Sequence, residues 1–145
     1  MSKITPFLWF NGQAEEAAGF YTSIFKDSKI ISTSPMTVSF TLAGQEFIAL
    51  NGGPLFKFTE AVSFSVSCET QEEIDYFWDK LSAGGQVQRC GWLKDRFGLS
   101  WQIVPAILGE MLNDKDAAIS HRVLQAMLQM VKLDIQRLKD AHAGR

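Results

Sequence analysis

The fold of this chain is decided by the stretch GWLKDRFGLSWQIVP, residues 91–105. Residues 94–98 form a charged turn in which Gly98 can adopt a positive φ, and residues 99–104 have the apolar and β-branched side chains of a buried strand. The pattern predicts the second half of a β-hairpin. In the turn, Asp95 is most simply interpreted as a solvated side chain with no partner for a catalytic role.

The residues before this hairpin predict a strand followed by a helix. Residues 62–67 alternate apolar and serine side chains, which is the period of a half-exposed strand. Thr70 and Glu73 form a capping box, in which each side chain satisfies a backbone N–H at the start of a helix. Gly84 and Gly85 then end that helix.

The first half of the chain shows the same order of elements. Residues 4–10 are apolar enough for a strand that is covered on both faces. Residues 14–25 repeat apolar side chains at the three-and-four spacing of a helix. Further strands are predicted at residues 29–34, 37–42 and 46–50.

The two halves can be aligned directly with each other. At an offset of 57 residues, Phe7 coincides with Phe64 and Tyr21 with Trp78. We therefore predict a duplicated β-α-β-β-β unit. The predicted fold class is α+β, with paired β-α-β-β-β modules, curled mixed sheets and a C-terminal helical tail.

The length of 145 residues favours a single domain. Its predicted parts are a first module at residues 1–54, a second module at residues 55–105 and a C-terminal helical extension at residues 106–145. After a first long helix, the extension is expected to form a last short helix over residues 134–138 and to fray at residues 142–145.

The long helix of the extension is predicted from about residue 117 to residue 132. Leu124, Leu128 and Val131 lie on one stripe of this helix, beside further apolar side chains. This apolar arc is wider than one docking face needs. Part of it is therefore expected to pack on a second subunit in a homodimer.

The composition argues against several classes of protein. A net charge of -2 does not favour binding to nucleic acid, and no apolar run approaches the ~20 residues that span a bilayer. The N-terminal residues lack the apolar core of a signal peptide. We therefore predict a cytoplasmic protein that binds neither nucleic acid nor membrane.

Most of the sequence resembles one known family. The residues that carry the resemblance are 7–17, 68–75, 90–105 and 122–130, and the third of these stretches is the most specific. They resemble the PhnB-like, or 3-demethylubiquinone-9 3-methyltransferase-like, proteins of the glyoxalase/bleomycin-resistance (vicinal oxygen chelate) superfamily. The resemblance implies paired modules around a pocket, and homodimers. The connection from Lys29 to Thr37 is short for this family.

The resemblance also raises the question of a metal, because most well-known enzymes of the superfamily hold a divalent ion between the modules. At the strand positions where ligands are expected, this chain has Phe7 or Leu8, Ile48, Ser63 and Gln102. Gln102, four residues after Gly98, replaces the usual glutamate. The two histidines, His121 and His142, lie in the C-terminal tail. A metal site needs three or four ligands rich in imidazole or carboxylate, so we predict no metal and no other cofactor.

Whether the protein is an enzyme stays open from the sequence. No glycine-rich S-adenosylmethionine loop lies between a parallel strand and a helix. Cys68 and Cys90 have no histidine placed to activate them and are interpreted as reduced, inert thiols.

We predict a small-molecule-binding protein without a catalytic metal, whose ligand is an organic molecule with an aromatic or quinone-like ring. The predicted pocket residues are Trp9, Asn51, Ser65, Trp92, Trp101 and Gln102. For Gln102, a purely structural hydrogen bond inside the fold is an equal alternative. Two other functions stay open: an enzyme, either a demethylubiquinone-type methyltransferase or a metal-dependent lyase or dioxygenase, and a structural dimer with no ligand.

Overall fold

The computed structural model of the protein describes residues 3–145. The chain divides into two compact units, with the boundary after Phe58. Unit 1 contains the elements β1 (Phe7–Phe10), α1 (Ala14–Ile24), β2 (Lys29–Thr33), β3 (Thr37–Leu42) and β4 (Gln45–Asn51). Its four strands form one sheet in the order β1-β4-β3-β2. β1 is parallel to β4, and the other neighbours are antiparallel.

The core of unit 1 lies between α1 and one face of this sheet. The predicted spacing places five side chains of α1 inside: Ala14, Ala17, Ala18, Tyr21 and Ile24. Opposite them, alternate residues of the strands are buried, namely Leu8, Phe10, Val38, Phe40, Leu42, Phe47 and Ala49. The rings of Tyr21 and Phe40 stack with their centroids 6.2 Å apart.

Unit 2 begins with the same order of elements. They are β5 (Ser63–Cys68), α2 (Gln71–Ser82), β6 (Gln86–Val87), β7 (Trp92–Lys94) and β8 (Ser100–Pro105). The strands form a second four-stranded sheet in the order β5-β8-β7-β6, in which β5 and β8 are parallel. The α+β class with two mixed sheets, predicted from the repeat, is confirmed.

The start of α2 contains the predicted capping box, with one difference. Thr70 Oγ1 accepts a hydrogen bond from the backbone N–H of Glu73 at 3.1 Å. Glu73 Oε1 accepts its hydrogen bond from the N–H of Glu69 at 2.7 Å, one residue before the cap. The helix then buries Ile74, Trp78 and Leu81.

The internal repeat is correct for the helices but is shifted by one residue for the first strand of each unit, β1 and β5. An offset of 57 relates Tyr21 to Trp78, which are both buried on their helices. The same offset relates Phe7 to Phe64, which do not correspond. Phe7 is 59% exposed and its neighbour Leu8 is buried, whereas Phe64 lies beside the buried Trp101. A shift of one residue moves a strand side chain to the other face of the sheet.

The turn between β7 and β8 is organised by a buried carboxylate. Asp95 is 2% exposed, and its Oδ1 accepts hydrogen bonds from the N–H groups of Phe97 (2.8 Å) and Leu99 (3.1 Å). Its Oδ2 accepts one from Trp101 Nε1 at 2.9 Å. The expectation of a solvated Asp95 is therefore wrong, because the turn points the carboxylate inward at three donors. Gly98 has the predicted positive φ, +89°.

Three helices with a core of their own complete unit 2: α3 (Leu108–Leu112), α4 (Ala117–Leu128) and α5 (Ile135–Ala143). Their buried core consists of Leu108, Met111, Val123, Met130, Leu133 and Leu138, and Val104 of β8 packs against it. Among residues 3–145, no helix is both long and apolar enough to cross a membrane.

The segment between α4 and α5 is joined by hydrogen bonds to the residues just before β7 and to the start of α2. The N–H groups of Cys90 and Gly91 donate to the carbonyls of Met130 (2.9 Å) and Val131 (2.8 Å). On the other side, the Oε1 atom of Gln71 accepts a hydrogen bond from the N–H of Ile135 at 2.8 Å.

The end of the chain is ordered, so the prediction of fraying is wrong. Arg122 donates from Nε to the carbonyl of Ala141 (2.8 Å) and from Nη2 to that of His142 (2.9 Å). His142 Nε2 also lies 2.9 Å from Asp114 Oδ2. These contacts extend α5 past the predicted end, up to its C-cap at Gly144.

Candidate functional site

One face of the second sheet carries most of the polar side chains of that sheet. The register places Ser65, Gln102 and Trp92 in one row across β5, β8 and β7, and Ser63, Ser100 and Lys94 in the next row. We call these six residues the polar face. The opposite face carries Phe64, Ile103 and Leu93 and packs toward α2.

A hydrogen bond joins two strands in the middle of the polar face. Gln102 Nε2 donates to Ser63 Oγ at 2.9 Å. Gln102 and Trp92 are half-buried, and Ser65 is exposed. The bond uses an N–H of the amide, so its carbonyl oxygen can still accept a hydrogen bond, and Trp92 is paired with Gln102 on the neighbouring strand.

An ion pair lies across one end of the polar face. Lys94 Nζ is 3.1 Å from Glu60 Oε1, and Gln88 Nε2 donates to Glu60 Oε2 at 3.4 Å. The hydrogen bond from Lys94 is the largest cause that lowers the pKa of Glu60 below its ordinary value of 4.5. Glu60 is exposed, so solvent screens this interaction.

Ser100 differs from the other residues of the polar face because it is fully buried. It is 0% exposed, and within residues 3–145 its Oγ has no hydrogen-bond partner. A buried hydroxyl without a partner is uncommon in folded proteins and calls for an explanation. Ser100 stands between Lys94 and Ser63 in its row.

The structure brings three of the six predicted site residues together. Ser65, Trp92 and Gln102 share one row of the polar face. Trp101 lies on the opposite face, 3% exposed, where its indole N–H is bound to Asp95. Because Trp101 is buried and its indole N–H is bound to Asp95, it is a core residue and does not lie on the polar face.

The other two predicted site residues, Trp9 and Asn51, belong to unit 1. Trp9 Nε1 donates to the Gly53 carbonyl at 2.9 Å, and the indole lies directly against Gly52, where any Cβ would collide with it. Asn51 Oδ1 accepts from the N–H of Ala14 at 2.9 Å, at the start of α1. Since Gln13 makes no side-chain cap there, Asn51 supplies it.

The face of the first sheet that carries Trp9 is apolar on β1 and β4, whereas β3 places Thr37, Ser39 and Thr41 on the same face. Trp9 and Leu50 are paired across β1 and β4, and Phe7 and Ile48 form the next pair. Trp9, Leu50 and Ile48 are half-buried and Phe7 is exposed. In unit 1, Trp9 therefore lies among apolar side chains, whereas Trp92 lies among hydrogen-bonding groups.

The donor set of the second sheet does not fit the divalent metal of the wider superfamily. At the expected ligand positions, Ser63 and Gln102 present a hydroxyl and an amide that bond to each other. Neither is the imidazole or carboxylate that such a site needs. Within residues 3–145, no three histidine, cysteine, aspartate or glutamate side chains are grouped to hold a metal.

Cys68 is buried, as expected of an inert thiol, whereas Cys90 is less buried than expected. Cys68 is fully buried, and burial, followed by the charge of Glu73, raises its pKa to about 12. The thiolate needed for nucleophilic attack is therefore strongly disfavoured at Cys68. Cys90 is half-buried, and its backbone has a positive φ of 61°.

Three residues of this site were missed from the sequence: Glu60, Lys94 and Ser100. Lys94 follows Trp92 by two residues, so period two would have placed it on the same face as soon as Trp92 was chosen. Ser100 likewise precedes Gln102 by two residues. No local pattern marks Glu60, because it lies before β5 and its contact depends on the tertiary fold.

Comparison with known proteins identifies relatives of the chain. The family model for 3-demethylubiquinone-9 3-methyltransferase matches residues 2–104. A PhnB protein from Bacillus cereus that carries the same methyltransferase name is 40% identical, with a TM-score of 0.67 over 72% of this chain and 100% of that chain. No curated protein sequence matches the chain.

More distant solved structures share the fold alone. The fosfomycin resistance protein FosX from Listeria monocytogenes, complexed with Mn(II) and sulfate, is 18% identical, with a TM-score of 0.58 over 77% of this chain and 96% of that one. A glyoxalase/bleomycin resistance protein from Albidiferax ferrireducens is 13% identical, with a TM-score of 0.53 over 72% and 98%.

Proposed function

The chain belongs to the PhnB-like 3-demethylubiquinone-9 3-methyltransferase family of the glyoxalase/bleomycin-resistance superfamily, and we propose that it binds a small organic molecule on its polar face without a metal. The observation that carries the proposal is the direct pairing of Trp92 with Gln102 on that face. An indole offers a flat apolar surface, and the amide beside it offers an oriented acceptor.

The chemistry of this pair favours a planar ring with a polar edge. A ring that stacks on Trp92 removes apolar surface from water, while a donor on its edge reaches the amide oxygen of Gln102. The hydroxyl of Ser65, in the same row, is a further donor and acceptor. An aromatic or quinone-like molecule has these features. We further propose that the protein acts as a cytoplasmic homodimer.

The proposal is tested by titrating the full-length protein with 1-naphthamide, a neutral bicyclic amide, and measuring the heat of binding. Trp92→Ala should weaken binding about tenfold, which corresponds to roughly 1.4 kcal/mol. Trp92→Phe should restore most of the affinity, because a flat ring returns to the same position. The control is Tyr76→Ala, which removes an exposed ring from α2. Equal loss in Tyr76→Ala and Trp92→Ala would contradict a site at Trp92.

The methyl transfer named by the family model is a second candidate, and the match over residues 2–104 is the observation in its favour. The glycine pairs of the chain stand elsewhere than in a cofactor loop: Gly52 and Gly53 lead into Pro54, and Gly84 and Gly85 follow α2. Transfer of a labelled methyl group from S-adenosylmethionine to a demethylated quinol by the purified protein would establish this activity. Transfer no faster than in a protein-free control would exclude methyltransferase activity on this quinol.

A further inference from the structure

We propose that the ligand of the polar face carries an oxyanion, and that Glu60 occupies the position of this oxyanion in the unliganded protein. The inference rests on the proposed function and adds the chemical class of the ligand. The inference is based on the contacts that the Glu60 carboxylate makes with two donors at the end of the polar face, Lys94 and Gln88.

The position of Glu60 in the chain makes its contacts unusual. Glu60 precedes β5 by three residues, and in the sheet β8 separates β5 from β7. Nevertheless its carboxylate reaches Lys94 on β7 and Gln88 just after β6. The ion pair therefore joins the segment before β5 to β7, two strands away in the sheet, on the side to which Lys94 points.

The groups that hold Glu60 form a set suited to an oxyanion. Lys94 supplies an ammonium at 3.1 Å and Gln88 supplies an amide N–H at 3.4 Å, one to each carboxylate oxygen. An ammonium and an amide N–H are both donors from which a carboxylate or a phosphate can accept. Because Glu60 is an exposed side chain on a connecting segment, an incoming oxyanion can exchange with it at little cost.

Ser100 provides the independent observation that points to a ligand. Its hydroxyl is fully buried, lacks a partner among residues 3–145, and stands next to Lys94 in the same row of the face. The carboxylate of Glu60 makes no hydrogen bond to it. The Glu60 side chain is attached to the backbone before β5, which limits how far its carboxylate reaches along the polar face. A free oxyanion that displaces it has no such limit and can accept a hydrogen bond from the Ser100 hydroxyl.

The test compares two ligands of the same shape and different charge. Wild-type protein and Glu60→Gln are titrated with 1-naphthoate and with 1-naphthamide. Glu60→Gln keeps the length of the side chain and removes the competing charge, so naphthoate should bind about fivefold to tenfold more tightly and naphthamide about equally in both proteins. Lys94→Met should weaken naphthoate about tenfold and leave naphthamide nearly unchanged. Ser100→Ala should weaken naphthoate only.

The matched control is Glu72→Gln, which neutralises an exposed glutamate on α2 and should change neither affinity. If naphthamide binds all variants while naphthoate gains nothing in Glu60→Gln, the oxyanion site is refuted and the proposed function survives. If neither compound binds wild-type protein or any variant, the proposed function itself fails.

A third titration separates two sources of the oxyanion. Inorganic phosphate is added to Glu60→Gln in the presence of naphthoate. Displacement of naphthoate by phosphate would indicate a phosphorylated ligand, because the donors then recognise the free ion. Naphthoate that is displaced only by other ring-bearing acids would indicate a carboxylate held jointly by the donors and Trp92.

Discussion

At the scale of single residues, the buried carboxylate of Asp95 joins the hairpin turn to the core. It accepts hydrogen bonds from the N–H groups of Phe97 and Leu99 and from the indole of Trp101. In Asp95→Asn, one oxygen becomes an NH₂ group, so at least one buried donor faces another donor. We expect the free energy of unfolding to fall by about 1–3 kcal/mol, measured by urea unfolding of the full chain.

The matched control for this change is Asp79→Asn, on the exposed surface of α2. It makes the same chemical substitution at a solvated position and should change stability by less than about 0.5 kcal/mol. Equal effects of the two substitutions would mean that the Asp95 hydrogen bonds add no stability to the hairpin.

The roles of individual side chains were only partly predictable from the sequence. The positive φ of Gly98 follows from the turn pattern, because glycine tolerates that conformation. The roles of Asp95 and Asn51 do not follow, because each binds groups that the fold brings to it. Asn51 caps α1 across 37 positions of sequence, a distance over which a local pattern carries no information.

At the scale of elements, α5 depends on two contacts at its C-terminal end. Arg122 binds the carbonyls of Ala141 and His142, and Asp114 pairs with His142. The pKa of Asp114 is lowered from 3.8, first by the hydrogen bond from the N–H of Asp116 and then by that from His142. A lowered pKa in the folded state adds stability that is fully present above 3.8 and is lost as the pH falls through the folded value.

The last turn of α5 should therefore open more readily in acid. Amide hydrogen exchange at residues 141–144, corrected for its intrinsic pH dependence, should lose protection between about pH 5 and about pH 2. Asp114→Asn should be less protected than wild-type protein at neutral pH and should lack the part of the acid response that Asp114 supplies. An unchanged acid response in Asp114→Asn would show that the Asp114 contact does not hold the helix.

Helices and strands were predictable to different degrees. The three-and-four spacing identified α1 and α2 and their buried faces, since a helix face is wide and tolerates small errors. The internal alignment of β1 with β5 was shifted by one residue. Such a shift exchanges the two faces of a sheet. Trp101 was predicted to line the pocket because of its flat apolar ring, although adjacent residues of a strand such as Trp101 and Gln102 point to opposite faces.

At the scale of the whole molecule, the homodimer stays a prediction, and the surface predicted to form its interface is the exposed apolar stripe on and beside α4. Leu124 and Leu128 of α4 and the nearby Val131 are exposed, at 38%, 42% and 46%. If this stripe is the subunit interface, Leu124→Glu combined with Leu128→Glu should convert the dimer to a monomer, because two charges would be buried in an apolar contact.

Light scattering after size exclusion measures this change directly. Wild-type protein should have twice the 16.2 kDa mass of the chain, and the double variant should have the single mass. Gln125→Glu, on the same helix, is the control for added charge and should stay dimeric. Wild-type protein at the single mass would contradict the dimer, and a dimeric double variant would place the interface elsewhere.

The general organisation was the most predictable part of the molecule. Two β-α-β-β-β units followed by helices were foreseen because repetition leaves a long-range pattern that no single residue carries. Of the predicted site residues, Ser65, Trp92 and Gln102 share one row of the polar face, and their role in binding stays a prediction. The charged end of that face was not foreseen, because the contact between Glu60 and Lys94 exists only when the sheet has formed.

The bonds of Cys90 and Gly91 to Met130 and Val131, and of Gln71 to Ile135, determine which segments tolerate a change of length. They hold the connection between α4 and α5 at both ends. One residue inserted or deleted within 131–134 would force at least one of these contacts to break. The turn at Ala43 and Gly44 is held by one exposed bond, from the N–H of Ala43 to Ser28 Oγ at 3.2 Å, and a Cβ added at Gly44 would meet nothing within 4 Å. A peptide tag or a reporter is therefore better inserted at that turn than between the last two helices.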